Sequence, residues 1–268
     1  MLQFGLIGFG AIGRHLARAH ALGKLGAARL AAVLVRRRDR LTREDWDLLG
    51  YPVHEDLEAF LAEPLQLVVE AAGQEALARY GEAVLRAGKD LLTVSYGAFT
   101  DADLLERCLQ AARESGRRIL LCTGATGGLD LLQSAAVEEI EEVVHVIRKP
   151  PQAWRGTEAE TLVDLDAVRE PVRIYRGPAR EIVRRFPANV NIAFLVAFAT
   201  VGLDRCTVEL WVDPAISRNT QEISLQGSMG RFQVRIENVP SENPRTGKLT
   251  YGAVIKALRN LSGPLAVV

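Results

Sequence analysis

The stretch Gly8-Phe9-Gly10-Ala11-Ile12-Gly13 determines how the N-terminal part of this chain folds. It follows an apolar run from Leu2 to Ile7 and opens a helical pattern of apolar residues. Glycines at this spacing allow a tight turn from strand to helix and close approach of a pyrophosphate to the backbone. The phosphates then lie at the positive end of the helix dipole. Because a strand precedes the motif and a helix follows it, the motif predicts a dinucleotide-binding site formed by Gly8, Gly10, Ala11, Ile12 and Gly13.

The composition is typical of a globular protein in a reducing compartment. Hydrophobic residues make up 48% of the 268 positions, and Lys+Arg and Asp+Glu number 33 each, so no net charge favours nucleic acid or an anionic membrane. Three cysteines far apart, Cys108, Cys122 and Cys206, suit reduced thiols better than disulfides or a zinc site. No run of about 20 apolar residues predicts a membrane span. We therefore expect a cytoplasmic protein without a metal site.

The order of the predicted elements divides the chain into two domains. The first half alternates apolar strands with helices, which indicates a parallel sheet covered on both faces. After Gly124, strands follow one another with one long apolar helix, residues 190–201, between them, which indicates a mainly antiparallel sheet. A closing helix, residues 248–261, is expected to pack on the first domain. The fold class is therefore α/β: a Rossmann-type parallel-sheet domain (1–123 plus 245–268) and an α+β substrate and dimerisation domain (124–244).

The end of the second strand bears on the choice of cofactor. An acidic residue there would bind the ribose 2′-hydroxyl of NAD, whereas arginine can pair with the 2′-phosphate of NADP. Here the strand is followed by Arg36-Arg37-Arg38, with no acid before Asp39. We expect Arg36 and Arg37 to contact the cofactor, with NADP slightly favoured over NAD. A solvated basic loop is the alternative interpretation.

Several further stretches, in order along nearly the whole chain, resemble the L-aspartate dehydrogenase family. They are Val69-Glu70-Ala71-Ala72-Gly73, Ser95-Tyr96-Gly97-Ala98, Thr123-Gly124-Ala125-Thr126-Gly127-Gly128-Leu129-Asp130, Lys149-Pro150-Pro151, Phe186-Pro187-Ala188-Asn189-Val190-Asn191, Asp213-Pro214 and Asn243-Pro244-Arg245-Thr246. The ordered set is far more specific than the glycine motif alone.

The resemblance implies a homodimeric NAD(P)-dependent oxidoreductase with a Rossmann domain. Its members interconvert L-aspartate with iminosuccinate, which water converts to oxaloacetate and ammonia, and some are proposed to supply NAD biosynthesis. Carried over to this sequence, Ala125 and Asn191 fall on cofactor-contacting positions. Within the similar stretches, Ala72 and Ser95 are added as expected cofactor contacts.

The sequence departs from the family at the catalytic histidine. The resemblance places that histidine 30 residues beyond Asn191, in an Asn-x-His context that reads Asn219-Thr220-Gln221 here. A histidine titrates near neutral pH, whereas an amide forms hydrogen bonds but cannot hold the proton. Three interpretations stay open: a slow dehydrogenase, an imine or carbonyl reductase with a changed substrate, and a catalytically silent dinucleotide-binding homologue. If the pocket keeps its family-like geometry, Gln221→His is expected to raise L-aspartate oxidation by about 10²-fold or more.

Other residues are candidates for the substrate site. Lys149, at a strand end in Lys-Pro-Pro, is a candidate catalytic group, with a structural turn and a solvated ammonium as the alternative. Asn219 and Arg218 are candidate substrate contacts, since a guanidinium can bind a carboxylate through two hydrogen bonds. His145 alternates with valines on a strand, which favours packing over a role in the site.

Overall fold

The computed structural model describes residues 1–186, 191–239 and 248–267. Its contacts divide the chain into two units, one formed by Met1–Gly124 with Thr250–Val268 and the other by Ala125–Leu249. The expected boundary between residues 244 and 245 lies outside the described residues. The same holds for the family-like stretch Asn243-Pro244-Arg245-Thr246 and for residues 187–190.

The described part of the first unit contains a six-stranded sheet in which neighbouring strands are parallel. Its strands are β1 (Leu2–Ile7), β2 (Ala28–Leu34), β3 (Val53–His54), β4 (Leu67–Glu70), β5 (Asp90–Thr93) and β6 (Ile119–Leu121). Their order is β3-β2-β1-β4-β5-β6. The order reverses at β1, which pairs with β2 on one side and β4 on the other, and open α/β sheets bind ligands at such a reversal. The expected Rossmann-type sheet is confirmed, with β3 as an addition.

Amphipathic helices connect these strands. They are α1 (Ala11–Ala21), α2 (Arg43–Leu48), α3 (Leu57–Leu61), α4 (Gln74–Arg86) and α5 (Ala102–Ser115). An ion pair joins α1 to α2, because Nε of Arg14 lies 2.6 Å from a carboxylate oxygen of the buried Asp45. The guanidinium lowers the pKa of Asp45 to about 2. This pair fixes the helix that follows the glycine turn.

The described part of the second unit contains a five-stranded sheet in the order β11-β10-β7-β9-β8. Its strands are β7 (Ile140–Lys149), β8 (Val172–Pro178), β9 (Thr207–Val212), β10 (Asn219–Gly227) and β11 (Gly230–Asn238). Only the β7–β9 pair is parallel among these described strands, so the expected mainly antiparallel sheet is confirmed. Alternate residues of β7 are buried, and we call the face that they share the inner face: Val143, His145, Ile147 and Lys149.

Short helices accompany this sheet: α6 (Leu129–Ala135), α7 (Ala159–Leu162), α8 (Ala179–Arg185) and α9 (Asn191–Phe198). The predicted apolar helix over 190–201 corresponds to α9, which ends earlier, at Phe198. Residues 193–197 of α9 are all buried, which explains a helix that is apolar on every side.

The closing helix, α10 (Leu249–Ser262), returns to the first unit. Its Ala253, Val254 and Leu258 belong to the buried cluster that contains Leu16 of α1 and Leu30 of β2. The expected packing of this helix on the first domain is therefore confirmed. Among the described residues, no helix is both long and apolar enough to cross a membrane.

Candidate functional site

The three motif glycines differ in what surrounds them. Gly8 has a φ of +95°, and a Cβ there would lie 2.7 Å from the Cβ of Ala72. A Cβ on Gly13 would lie 2.5 Å from the backbone oxygen of Gly8. A Cβ on Gly10, in contrast, would meet nothing within 4 Å. Packing thus requires Gly8 and Gly13, whereas Gly10 leaves open space beside the first turn of α1, where no side chain caps the helix. This cradle suits a pyrophosphate.

The ends of β4 and β5 complete this edge of the sheet. The buried carboxylate of Glu70 accepts hydrogen bonds from the backbone N–H groups of Ala72 and Gly73, at 2.7 and 2.9 Å. Its other oxygen accepts from the hydroxyl of Thr93 at 2.7 Å, and that hydroxyl oxygen accepts from the N–H of Ser95. Burial raises the pKa of Glu70, partly offset by these donors. Ala72 and Ser95 therefore lie in turns that one buried acid holds in place.

Sequence reasoning missed Glu70 as a functional residue. The available signal was an acid at the end of the apolar run Leu67-Val68-Val69, where a fully buried strand would otherwise continue. A carboxylate in such a position requires local donors. Its role here is to shape the loops after β4 and β5.

The basic loop after β2 already contains its own acid. The guanidinium of Arg37 forms two hydrogen bonds with Asp39, at 2.9 and 2.5 Å, and both side chains are exposed. The backbone N–H of Arg38 donates to Glu55 at 2.7 Å, while its guanidinium lies 5.5 Å from the ring centre of Trp46. Arg36 is exposed. A 2′-phosphate would thus compete with Asp39 for the Arg37 guanidinium.

In the second unit, polar side chains converge on one backbone carbonyl. The oxygen of Ala125 accepts from Nε2 of Gln221 at 2.7 Å and from Nδ2 of Asn238 at 3.1 Å. Oε1 of Gln221 lies 3.3 Å from Nε2 of His145. We call these four residues the Ala125 cluster. It joins the first residue of the unit to β7, β10 and β11.

The neighbourhood of the cluster contains buried polar atoms without a hydrogen-bond partner in the described part of the chain. They are Oγ1 of Thr126, Nδ1 of His145 and Oδ1 of Asn219. Such atoms are rare in folded proteins and often mark functional sites. His145 belongs to the cluster, Thr126 follows Ala125 in sequence, and Asn219 pairs with Asn238 across the sheet. The cluster is therefore a polar region with unused hydrogen-bonding capacity.

His145 and Lys149 are the titratable groups on the inner face of β7. Both are buried, with exposed fractions of 0% and 5%. Burial lowers the pKa of His145 to about 4 and that of Lys149 to about 7. Nζ of Lys149 lies 5.3 Å from the ring centre of Trp154. The alternative of a solvated Lys149 ammonium is wrong, because the side chain is in the protein interior.

The structure brings together Ala125, Asn219 and Gln221 but leaves Arg218 exposed. Asn191 begins α9 and is half-buried. The interpretation of His145 as a packing residue is incomplete, because its ring contacts the side chain at position 221. The contact between His145 and Gln221 could not be predicted from the sequence because it depends on the register of two strands. Gln221 pairs with Ile147 and Ile223 pairs with His145, so His145 and Gln221 are diagonal neighbours across a long-range strand pair.

Comparisons with known proteins match both units. Residues 8–122 match the family model "Homoserine dehydrogenase, NAD binding domain", and residues 130–261 match "Aspartate dehydrogenase, C-terminal". The L-aspartate dehydrogenase of Brucella anthropi is 39% identical, over 95% of this chain and 94% of that protein. The L-aspartate dehydrogenase of Ruegeria pomeroyi is also 39% identical, over 96% and 92%.

A solved structure supports the fold. The aspartate dehydrogenase of Thermotoga maritima superposes with a TM-score of 0.78 at 24% identity, with both chains covered completely. The parallel sheet, the glycine turn and the matched NAD-binding model define an oxidoreductase that uses a nicotinamide dinucleotide. The chain belongs to the L-aspartate dehydrogenase family.

The glycine turn yields a pair of substitutions with opposite outcomes. Gly10→Val fills open space, so we expect stability within about 0.5 kcal/mol of the unchanged protein but no dinucleotide binding. Gly13→Ala forces a Cβ against the Gly8 carbonyl and should destabilise the fold by about 1–3 kcal/mol. Denaturant unfolding and nucleotide fluorescence titration measure the two effects. Undiminished binding in Gly10→Val would contradict the placement of the phosphates.

Proposed function

We propose that this protein catalyses the NAD(P)-dependent interconversion of L-aspartate and iminosuccinate, with oxaloacetate and ammonia as the hydrolysis products. The main support is that the similarity to L-aspartate dehydrogenases spans almost the whole of both chains and includes both units. The first unit supplies the dinucleotide cradle, and Ala125 and Asn191 are proposed as further cofactor contacts. The bound nicotinamide would supply or accept the hydride at C2 of the amino acid.

The amide at position 221 bears on the direction of the reaction. Oxidation of L-aspartate requires that its ammonium group lose a proton before the hydride leaves, and Gln221 cannot accept that proton. Reduction of iminosuccinate starts from an iminium that is already protonated, so it depends on positioning and electrostatics rather than on a base. We therefore propose that reduction is the faster direction near neutral pH.

Lys149 is the proposed proton acceptor for oxidation. Its pKa of about 7 makes it a neutral amine above pH 7 and a cation below it. A base must be unprotonated, so oxidation should rise as the pH increases through 7. Below that pH the cation could instead attract the carboxylates of the substrate. Asn219 is proposed as a substrate contact because its Oδ1 is buried without a hydrogen-bond partner among the described residues. Arg218 is a second proposed contact, close to it in sequence.

A substrate panel tests the proposed function. We expect NADPH or NADH to be consumed with oxaloacetate plus ammonia, and much more slowly with oxaloacetate alone. L-aspartate oxidation should be slower and should rise through pH 7. Lys149→Met should remove that rise, whereas Lys89→Met, which removes a lysine from the first unit, should keep it.

Two results of the panel would contradict the proposal. Equal consumption without ammonia would identify a carbonyl reductase. Nucleotide binding without turnover of any amino or keto acid would identify a catalytically silent homologue.

The loop after β2 supports a preference for NADP(H), or at least its use. A 2′-phosphate, which is doubly charged, should displace Asp39 from Arg37, because their exposed ion pair is weakened by solvent screening. Arg37→Met should weaken NADPH binding by about tenfold and leave NADH binding almost unchanged. Arg40→Met, an equal change of charge in the same loop, is the control. Fluorescence titration that finds much tighter NADH than NADPH binding in the unchanged protein would overturn this preference.

We propose a homodimer formed through the outer face of the second unit's sheet. Val144 and Val146 on this face are half-buried, and the Arg148 guanidinium lies 4.4 Å from the ring centre of Trp211. Sedimentation should give a dimer, and Val144→Glu should shift it toward monomer. Val137→Glu, the same change at a side chain 80% exposed, should not. A monomer at all concentrations of the unchanged protein would contradict the proposal.

The cytoplasm is the proposed location. Its support is that all three cysteines, Cys108, Cys122 and Cys206, are buried free thiols. Such thiols persist where glutathione and thioredoxin keep them reduced.

A further inference from the structure

The side chain at position 221 has two fixed hydrogen-bonding neighbours of opposite polarity. On one side, the Ala125 carbonyl oxygen can only accept, and Nε2 of Gln221 donates to it at 2.7 Å. On the other side, Oε1 of Gln221 faces Nε2 of His145 at 3.3 Å. The shorter bond sets the orientation of the amide, because a reversed amide would place two oxygens together. Position 221 must therefore donate toward Ala125 and accept from His145.

This orientation fixes the tautomer of His145. Oε1 of Gln221 can only accept, so Nε2 of His145 carries the proton and Nδ1 does not. Nδ1 is a buried acceptor without a hydrogen-bond partner in the described part of the chain. The ring is completely buried and therefore neutral at physiological pH. His145 thus presents an N–H donor to Gln221, and the other tautomer would instead bury an N–H at Nδ1 without an acceptor in the described part of the chain.

We propose that His145 is a positioning residue whose N–H favours an amide side chain at position 221. The same N–H prevents a histidine at position 221 from acting as a base. An amide donates with its nitrogen and accepts with its oxygen, so Gln221 satisfies both neighbours. An imidazole at the same place would direct its only N–H at the Ala125 carbonyl. Its remaining nitrogen would then accept the His145 N–H and could not also take a proton from substrate.

The other groups that face position 221 do not alter this argument. Asn238 on β11 donates to the same Ala125 carbonyl, and Ile236 pairs with Gln221 across the strands. Lys149, beside Val212 of β9, lies two residues from Ile147 along β7, as His145 does, so both are diagonal to Gln221 on the inner face. The hydrogen bond at 3.3 Å joins Gln221 to His145. The proposal thus differs from the expectation that Gln221→His alone restores a base, since it requires that the N–H at position 145 be removed as well.

Combined substitutions at the two positions test the inference, whose kinetic part rests on the proposed function. Gln221→His alone should change L-aspartate oxidation by no more than about threefold. Gln221→His with His145→Leu should raise it by about 10²-fold, the usual scale of general base catalysis. That gain should disappear as the pH falls below the imidazole pKa, since a protonated ring cannot act as a base.

Two control variants separate hydrogen bonding from packing. Ile147 lies directly opposite position 221 on the neighbouring strand. Ile147→Leu therefore changes the packing there without removing the His145 donor. Combined with Gln221→His, it should give no gain. In the Gln221 background, His145→Gln keeps a donor and should preserve activity and nucleotide affinity, whereas His145→Leu should lower activity. A gain in Gln221→His alone equal to that of the double variant would overturn the proposal.

If no variant oxidises L-aspartate, that result contradicts the proposed function and leaves the inference about His145 to be tested by spectroscopy. The chain has four histidines, so ¹⁵N NMR of labelled imidazoles can resolve His145. We expect a neutral Nε2–H tautomer that persists well below pH 6, with an Nε2 proton that shifts in Gln221→Leu. A His145 that carries its proton on Nδ1, or that titrates near pH 6.5, would refute the assignment.

Discussion

The backbone carbonyl of Ala125 is the constraint on which the second unit's polar site depends. Two side-chain amides, Gln221 and Asn238, donate to this one oxygen from neighbouring strands. Ala125 is half-buried, and a carbonyl that loses its donors where water cannot replace them costs roughly 1–3 kcal/mol, so the loop that begins the unit is held against β10 and β11. Gly127 and Gly128 permit the same approach, because Cβ atoms there would meet Ile236 and Val234. Position 221, where the resemblance places a catalytic histidine, thus has a structural task here.

This structural task is compatible with a glutamine at position 221. An amide meets the hydrogen-bonding needs of both Ala125 and His145, and it does so at every pH. A group with a pKa near neutrality is present on the inner face of β7, because burial lowers the pKa of Lys149 to about 7. Chemistry that starts from a protonated imine is compatible with such a site. Under the proposed function, chemistry that begins by removing a proton uses this lysine.

The sequence was sufficient to predict those features that follow from local rules. The glycine spacing predicted the turn, since Gly8 and Gly13 have contacts that exclude a side chain. The change from alternating strand and helix to successive strands predicted the two kinds of sheet. What could not be predicted depends on long-range pairing. The contact between His145 and Gln221 requires the register of β7 and β10, which is fixed by the whole inner face rather than by either strand alone.

The sequence also could not show which acidic groups pair with its arginine side chains. Arg36-Arg37-Arg38 indicated a phosphate site, but whether Asp39 turns back onto Arg37 depends on the conformation of the loop. The role of Glu70 also depends on the fold, because its carboxylate accepts hydrogen bonds from backbone N–H groups of the following loop and from a hydroxyl on a later strand. Composition and spacing identify such residues as unusual, and only the fold shows what they bind.

The proposed function requires that hydride reach the carbon that bears nitrogen. The most direct measurement uses NADPH deuterated at the transferable C4 position, together with oxaloacetate and ammonia, and analyses the products by mass spectrometry. One deuterium is expected at C2 of L-aspartate. Deuterium in malate, or in no product while the nucleotide stays bound, would contradict it.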